Sequence, residues 1–578
     1  MIQGIGAAAG VAIGKAFVLP AWEWDVQDRR MEKVDLAKEF ERLYEGIRTS
    51  KTEIEFMKNE IKETVGVAES SIFDAHIAIL EDPVFMSEIQ GIIERQYKAA
   101  EVAVKEAIDH FVTMFDLLDD EYMKERALDI KDVGNRLLKH LLGTPEITLP
   151  ADTQPYILVA KELSPSQLVH LNPENVLGMV TMAGGQTSHS AIMARAIGIP
   201  LVSGLENKLV EPLQTGDFLI IDGDDGRIYL NPEQELIDRF TEIAEGQRRR
   251  KEQLQLLASV DAVTKDGYHL RLAGNISSLK DLEQVMKYGA HGVGLFRTEF
   301  LYMDRPTFPT EEEQYEVYRQ IVEKAGGYPV VIRTLDIGGD KQLEYFALPE
   351  EENPVLGYRG IRISLDSNEL FKTQLTALLR ASAHGHVKIL FPMISSLEEF
   401  RGAKRILEEA KLDLAVRGLP FRSDIEAGIM IEVPAAAAIA DLLAKEADFF
   451  SIGTNDLVQY VLAVDRMNEK IAHMYHPFHP AVLRLLRQTV SAAKEEGIPV
   501  SVCGELAGDE RALPIWLHLG VDSLSMSPQA LLRVKHRVLN STLKEGQEEG
   551  KLCFRLTTSE EIERELSGFL GKDPVAGR

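Results

Sequence analysis

The segment Gly184-Gly185-Gln186-Thr187-Ser188-His189-Ser190 closes an apolar, strand-like run (Val176 to Ala183) and opens a helix-like one (Ala191 to Ile197). It places one histidine in the first turn of a helix. Unpaired backbone N–H groups and the helix dipole at such an end favour a negative group over a positive one. His189 is therefore suited to act as a neutral nucleophile that afterwards carries phosphate. Gly184 and Gly185 let the backbone approach an incoming group closely, and Thr187 or Ser188 can cap the helix and reach phosphate oxygens. A capped core or surface histidine satisfies the same spacing, so the segment needs support from the rest of the chain.

A second set of reactive side chains lies downstream, each just after a short apolar run. Arg297 follows Gly292-Val293-Gly294-Leu295-Phe296, Arg333 ends Val330-Val331-Ile332, and Glu432 ends Ile429-Met430-Ile431. Asn455 and Asp456 follow Phe449-Phe450-Ser451-Ile452, Arg466 comes ten residues after Asp456, and Cys503 ends Pro499-Val500-Ser501-Val502. Glu432 and Asp456 as a pair suit Mg²⁺, a hard cation that needs only one or two protein carboxylates and keeps sites for water and substrate oxygens. Mn²⁺ would suit the same oxygens. Arg297, Arg333 and Arg466 suit a small, multiply anionic ligand, because the guanidinium fork matches phosphate and carboxylate. Without a ligand, three gathered arginines are expected to repel one another. Taken singly, each residue is equally compatible with an ordinary ion pair or a buried thiol.

What would position these groups is legible in the pattern of the chain. Eight short apolar runs, at 269–274, 292–296, 329–333, 387–391, 428–432, 448–452, 499–503 and 522–526, alternate with helix-like segments. That alternation predicts a C-terminal (β/α)₈ barrel over 261–578, with longer excursions after the third and sixth strands; an open doubly wound sheet is the alternative. In a barrel the strand ends share one mouth, which would gather the second set. Upstream, Leu36, Phe40, Leu43, Ile47, Ile54, Met57 and Ile61 follow a helical spacing, and charge-rich helical segments continue with Pro83 as their one proline. This predicts a helical bundle over 33–143 inserted into an α/β domain made of 1–32 and 144–230, which carries His189. Asn231-Pro232-Glu233 reads as an N-cap followed by a first-turn proline and opens a charged linker helix over 231–260, with Arg248-Arg249-Arg250 on its solvated face.

The 578 residues carry a net charge of −27 and only two cysteines, Cys503 and Cys553. Such acidity disfavours nucleic acid and anionic membrane surfaces and suits a basic or neutral protein partner. Two cysteines form no disulfide framework or cysteine-rich zinc site, as expected in a reducing compartment. Neither a signal peptide nor a membrane span is expected, so the chain reads as a soluble cytoplasmic protein.

Three motifs now carry a resemblance. Gly184 to His189, Phe449 to Tyr460, and Gly294-Leu295-Phe296-Arg297-Thr298-Glu299-Phe300 are similar to signatures of the phosphoenolpyruvate-utilising enzymes. The order of bundle, histidine domain and barrel resembles the branch of that family serving the bacterial phosphotransferase system. The resemblance implies that phosphoenolpyruvate, held with Mg²⁺ in the barrel mouth, phosphorylates His189 and leaves as pyruvate. It implies that Arg297, Arg333, Arg466 and Asn455 hold the substrate, that Glu432 and Asp456 hold Mg²⁺, and that Cys503 protonates the enolate carbon. It also implies transfer from His189 to the histidine-phosphocarrier protein HPr docked on the bundle, a swing of the His189 domain between the two stations, and a homodimer through the barrel. The acidic stretch 116–121 agrees with a basic partner, and His76 reads as a packing or interface residue. Pyruvate phosphate dikinase and phosphoenolpyruvate synthase share two of the domains but also need a nucleotide-binding domain, for which no P-loop pattern is present. A non-enzymatic sensor would not need intact His189, Glu432, Asp456 and Cys503.

Overall fold

The computed structural model describes residues 1–570 apart from 20–23, 25, 27–34, 65–69, 71, 117–120, 144–153, 170, 173–174, 187, 206–212, 304, 340–342, 344, 347, 350 and 469. Thr187 and most of the acidic stretch at 116–121 thus lie outside the described residues. Two compact units are formed, Met1–Arg249 and Arg250–Arg578. No helix among the described residues is long and apolar enough to cross a membrane.

In the first unit a single eight-stranded sheet gathers strands from both sides of a helical insertion. β1 (Ile2–Gln3), β2 (Ile5–Ala8) and β3 (Val11–Val18) precede the insertion; β4 (Tyr156–Ala160), β5 (Val176–Thr181), β6 (Leu201–Ser203), β7 (Phe218–Asp222) and β8 (Arg227–Leu230) follow it. Their spatial order is β1-β8-β7-β3-β4-β5-β6-β2. β3 to β6 are parallel neighbours, and parallel strands need a crossover rather than a tight turn. Between β3 and β4 that crossover is the whole insertion: α1 (Leu36–Thr64), α2 (Ile72–Glu81), α3 (Pro83–Gln96), α4 (Ala100–Asp116) and α5 (Glu121–Leu142). β4 is buried along its entire length because both faces of the sheet are covered, Tyr156, Leu158 and Ala160 on one side and Ile157 and Val159 on the other.

The apolar stripe of α1 serves two cores. Leu43, with Leu36, Phe40 and Ile47 beside it, packs inside the bundle against Phe85, Ile89 and Leu137. One stretch further on, Ile54, Met57 and Ile61 pack with the sheet residues Tyr156, Leu158 and Met179. Pro83 starts a helix rather than breaking one, at the first position of α3, where Asp82 Oδ1 accepts from the Val84 and Phe85 N–H groups at 2.8 Å.

The linker helix departs from the sequence expectation at its start. Helix α6 (Pro165–Val169) and helix α7 (His189–Ile197) complete the sheet layer, and α8 spans Gln234–Leu256. Asn231 does not cap it. That residue has a positive φ of 44°, and its Oδ1 accepts from the Phe218 N–H at 2.9 Å, so it ends the β7–β8 hairpin instead. An asparagine tolerates the left-handed region and competes for local backbone donors, and the strand offered one before the helix did.

The second unit holds the closed, all-parallel barrel. β9 (Arg271–Ile276), β10 (Val293–Phe296), β11 (Val330–Arg333), β12 (Val387–Phe391), β13 (Glu426–Ile431), β14 (Phe450–Ile452), β15 (Val500–Val502) and β16 (Ser523–Met526) pair in sequence, and β16 closes on β9. The doubly wound alternative is thereby excluded. Outward residues such as Phe296, Ile332, Ile389 and Phe450 pack under the surrounding helices, while Leu295, Val331, Leu390, Met430, Phe449 and Cys503 form a separate inner cluster. The inner cluster is a plug, so the mouth has a floor.

Candidate active site

A parallel barrel delivers the residue after each strand to the same rim. Arg297 follows β10, Arg333 ends β11, Glu432 follows β13, and Cys503 follows β15. Asn455 and Asp456 lie in the first turn of the helix Thr454–Leu462, directly after β14. A cavity of about 700 Å³ opens at this rim, with Asn275, Arg297, Glu505 and Ser527 in its wall.

Two of the three arginines, Arg333 and Arg466, meet carboxylates instead of repelling one another. Arg333, fully buried, bonds Glu299 through a very short contact and Asp336 at 3.1 Å. Asp336 also takes both forks of Arg359, at 3.0 and 3.1 Å, and Arg359 reaches Asp456 Oδ2 at 3.2 Å. Arg466 Nη1 lies 3.7 Å from Asp456 Oδ1. The charges therefore alternate from Glu299 through Arg333, Asp336, Arg359 and Asp456 to Arg466. Burial works against the cationic forms of Arg333 and Arg359, but the carboxylates around them outweigh it and both pKa values are raised. Breaking one partner out of such a buried set costs about 3–5 kcal/mol, so the network behaves as a rigid frame.

Glu432 stands apart from that alternation. Its Oε1 accepts the Met393 N–H at 2.7 Å, and Met393 adopts a φ of 59° to present it. Such a conformation is sparsely populated for a residue with a Cβ, which marks the bond as one the site maintains against strain. Burial first, then the nearby negative charges of Asp456 and Asp336, push the Glu432 carboxyl up to about 8. Gly453 permits the close approach, because a Cβ there would lie 3.0 Å from Glu432 Oε2. Asp456 Oδ1 is buried and makes no hydrogen bond to any described residue. A buried carboxyl whose charged form is disfavoured by a neighbouring carboxylate, beside an Asp456 Oδ1 that makes no hydrogen bond and only a 3.7 Å contact to Arg466, fits a divalent cation with oxygen preference. No group of three metal-binding side chains exists among the described residues.

Cys503 is 2% exposed, its Sγ lies 3.5 Å from the Ile452 carbonyl, and burial pushes the thiol up to about 11. Asn455 is locked by its neighbour: Oδ1 accepts the Glu505 N–H at 2.9 Å and Nδ2 donates to Glu505 Oε1 at 3.2 Å. Arg297 is exposed at the cavity wall.

His189 belongs to the other compact unit, half-buried as the first residue of α7. Ser188 is the N-cap; its Oγ accepts from the Ala191 N–H at 3.3 Å and contacts Ser190 Oγ at 3.1 Å. Gly184, with a φ of 95°, makes the turn into it. His76 is fully buried in the bundle, its Nε2 3.3 Å from Asp129 Oδ1.

Asp336 and Arg359 were not singled out by the sequence, and Glu299 was noted only as part of a motif. Asp336 lies three residues after Arg333 and was within reach of the same strand-end argument. Arg359 sits in the long excursion after β11, beside Gly360 with a φ of 59°, and has no local signal tying it to the mouth.

This domain arrangement matches one class of protein. Family models of the phosphoenolpyruvate-utilising enzymes cover residues 3–126 (N-terminal), 152–226 (mobile domain) and 251–543 (PEP-binding domain). The chain is 44% identical over 562 residues to the phosphoenolpyruvate-protein phosphotransferase of Staphylococcus carnosus strain TM300, covering 97% of each chain. With that of Geobacillus stearothermophilus it shares 44% over 561 residues, 97% of this chain and 96% of the other. The solution structure of an Enzyme I protein (nEIt) is 32% identical, with a TM-score of 0.35 over 43% of this chain and all of that one. The chain belongs to the phosphoenolpyruvate-protein phosphotransferase family. It is a transferase of phosphoenolpyruvate-dependent phosphotransfer.

Proposed function

We propose that the protein moves the phosphoryl group of phosphoenolpyruvate first to its own His189 and then to the histidine of the phosphocarrier HPr, releasing pyruvate, as the first step of sugar uptake and phosphorylation. The observation that carries this reading is the alternating frame from Glu299 to Arg466, which holds guanidinium groups in fixed positions while leaving Asp456 Oδ1 without a hydrogen bond, 3.7 Å from Arg466. Arg297, Arg333 and Arg466 bind the phosphate and carboxylate of the substrate, and Asn455, held by Glu505, orients it. Glu432 and Asp456 would hold Mg²⁺, which when bound offsets the charge on the transferring phosphoryl group. Cys503, kept protonated by burial, delivers its proton to the enolate carbon and so drives product toward pyruvate.

On the other unit, the N-terminus of α7 offers backbone donors to the phosphorylated imidazole, and Ser188 and Ser190 add hydroxyls beside it. The helical bundle is the docking surface for HPr, and the protein acts in the cytoplasm as a homodimer. Incubation with labelled phosphoenolpyruvate and Mg²⁺ tests the first transfer. Acid-labile label is expected on the wild type and none on His189→Ala; absence of label from the wild type would point to a sensor of phosphoenolpyruvate instead. Release of the label to purified HPr tests the second.

A further inference from the structure

Ser451 is the middle residue of β14, and its side chain is wholly buried. Its neighbours Phe450 and Ile452 pack outward under the helices, so strand alternation turns Ser451 toward the barrel axis. β14 and β15 pair in parallel with Ser451 opposite Ser501 and Ile452 opposite Val502. That register sets Cys503 two residues past the partner of Ser451, on the same inward side, where Cys503 joins the inner cluster. Ser451 Oγ makes no full hydrogen bond to any described residue, yet the hydroxyl lies close enough to Cys503 to draw the thiol's pKa downward against the larger effect of burial. A buried hydroxyl left without a partner is costly and calls for a use.

We propose that Ser451 is a positioning residue for the Cys503 acid: slack against the neutral thiol, it donates a full hydrogen bond to the thiolate that forms on proton transfer. The inference rests on the reading of Cys503 as proton donor. In that step the Sγ–H bond breaks, and the electron pair of the enolate carbon takes the proton in a new C–H bond. The enolate oxygen becomes the ketone carbonyl of pyruvate, and Sγ carries the charge until a solvent proton neutralises it after product leaves. The other contact of Sγ, the Ile452 carbonyl, can only accept, so it favours the thiol and opposes the thiolate. Ser451 supplies the opposite preference, and an interaction stronger in the charged state than in the resting one is the kind that speeds the step. Arg333 and Arg297 also favour the thiolate, while Glu432 disfavours it. The backbone at Cys503 is fixed independently, since Asn275 Nδ2 donates to its carbonyl at 2.8 Å and Ser525 Oγ donates to Asn275 Oδ1 at 2.6 Å.

Ser451→Ala is expected to slow pyruvate formation by roughly tenfold to a hundredfold, with a larger solvent deuterium isotope effect and an unchanged KM for phosphoenolpyruvate. Single-turnover labelling of His189 should persist, and Ser451→Thr should restore most of the rate. In a Cys503→Ala background the same serine change should cost nothing further. Equal losses in both backgrounds, or no loss in the single variant, would overturn the proposal. Full pyruvate formation by Cys503→Ala alone would instead remove the proton-donor reading beneath it.

Discussion

Cys503 and Cys553 are the only thiols of the chain, and burial pushes one up to about 11 and the other up to about 12. An unfolded chain loses both thiol protons near pH ~8.5. Above that pH the folded protein holds two protons that the unfolded chain has released. Their contribution to stability is complete below the unfolded value and falls away as pH rises toward the folded ones. Native protein should therefore show no ultraviolet thiolate absorbance at pH values where the urea-unfolded protein shows it fully, and its stability should decline across the same interval. A thiolate signal from native protein at about pH 9 would refute the assignment of Cys503 as an acid that stays loaded in the cell. Cys503 could be located by its place at the end of an apolar run, but its protonation is a consequence of burial under Leu295, Met430 and Phe449, which no local pattern encodes.

Among the elements, α3 shows how few atoms decide where a helix begins. Asp82 holds two first-turn N–H groups and Pro83 needs none, so the chain can leave α2 and restart within a residue. Asp82→Ala is expected to destabilise the first unit by about 1 kcal/mol, measured by urea denaturation, without changing labelling of His189. A loss of labelling would mean that the core shared by Leu80 of α2 and Ala191 and Ala194 of α7 transmits the change from the cap to the histidine. The periodicity of α1 was visible in the sequence as one stripe. That its first half faces the bundle and its second half the sheet was not, because a helical stripe reports which residues are buried and says nothing about what buries them.

For the whole molecule, the decisive feature is that His189 and the charge frame belong to different compact units whose division, between Arg249 and Arg250, falls inside α8. Most side chains of α8 are exposed, and Arg249 pairs with Glu245 one turn earlier at 2.8 Å. A helix polar on most of its surface is of the kind that bridges through solvent. If one imidazole serves both the donor site and HPr, the domain carrying it has to turn about its connections, this helix among them. A crosslink that fixes the connection through α8 should abolish turnover with phosphoenolpyruvate while leaving HPr binding intact by titration calorimetry. Unimpaired turnover would count against the swing.

The sequence by itself determined the elements: eight apolar runs that are the eight barrel strands, a glycine turn that opens a helix on His189, and the identities of the groups set after each strand. These follow from spacing between near neighbours, where strand and helix periods and capping chemistry operate. Only the tertiary structure decided that Asp336 and Glu299 neutralise Arg333, that Arg359 arrives from a loop 23 residues past Asp336 to join Asp456, and that Asn231 serves a hairpin rather than a helix. Those outcomes depend on barrel and sheet closure bringing distant segments within ion-pair range, and attraction over a few ångströms in a buried site has no counterpart in the order of residues along the chain.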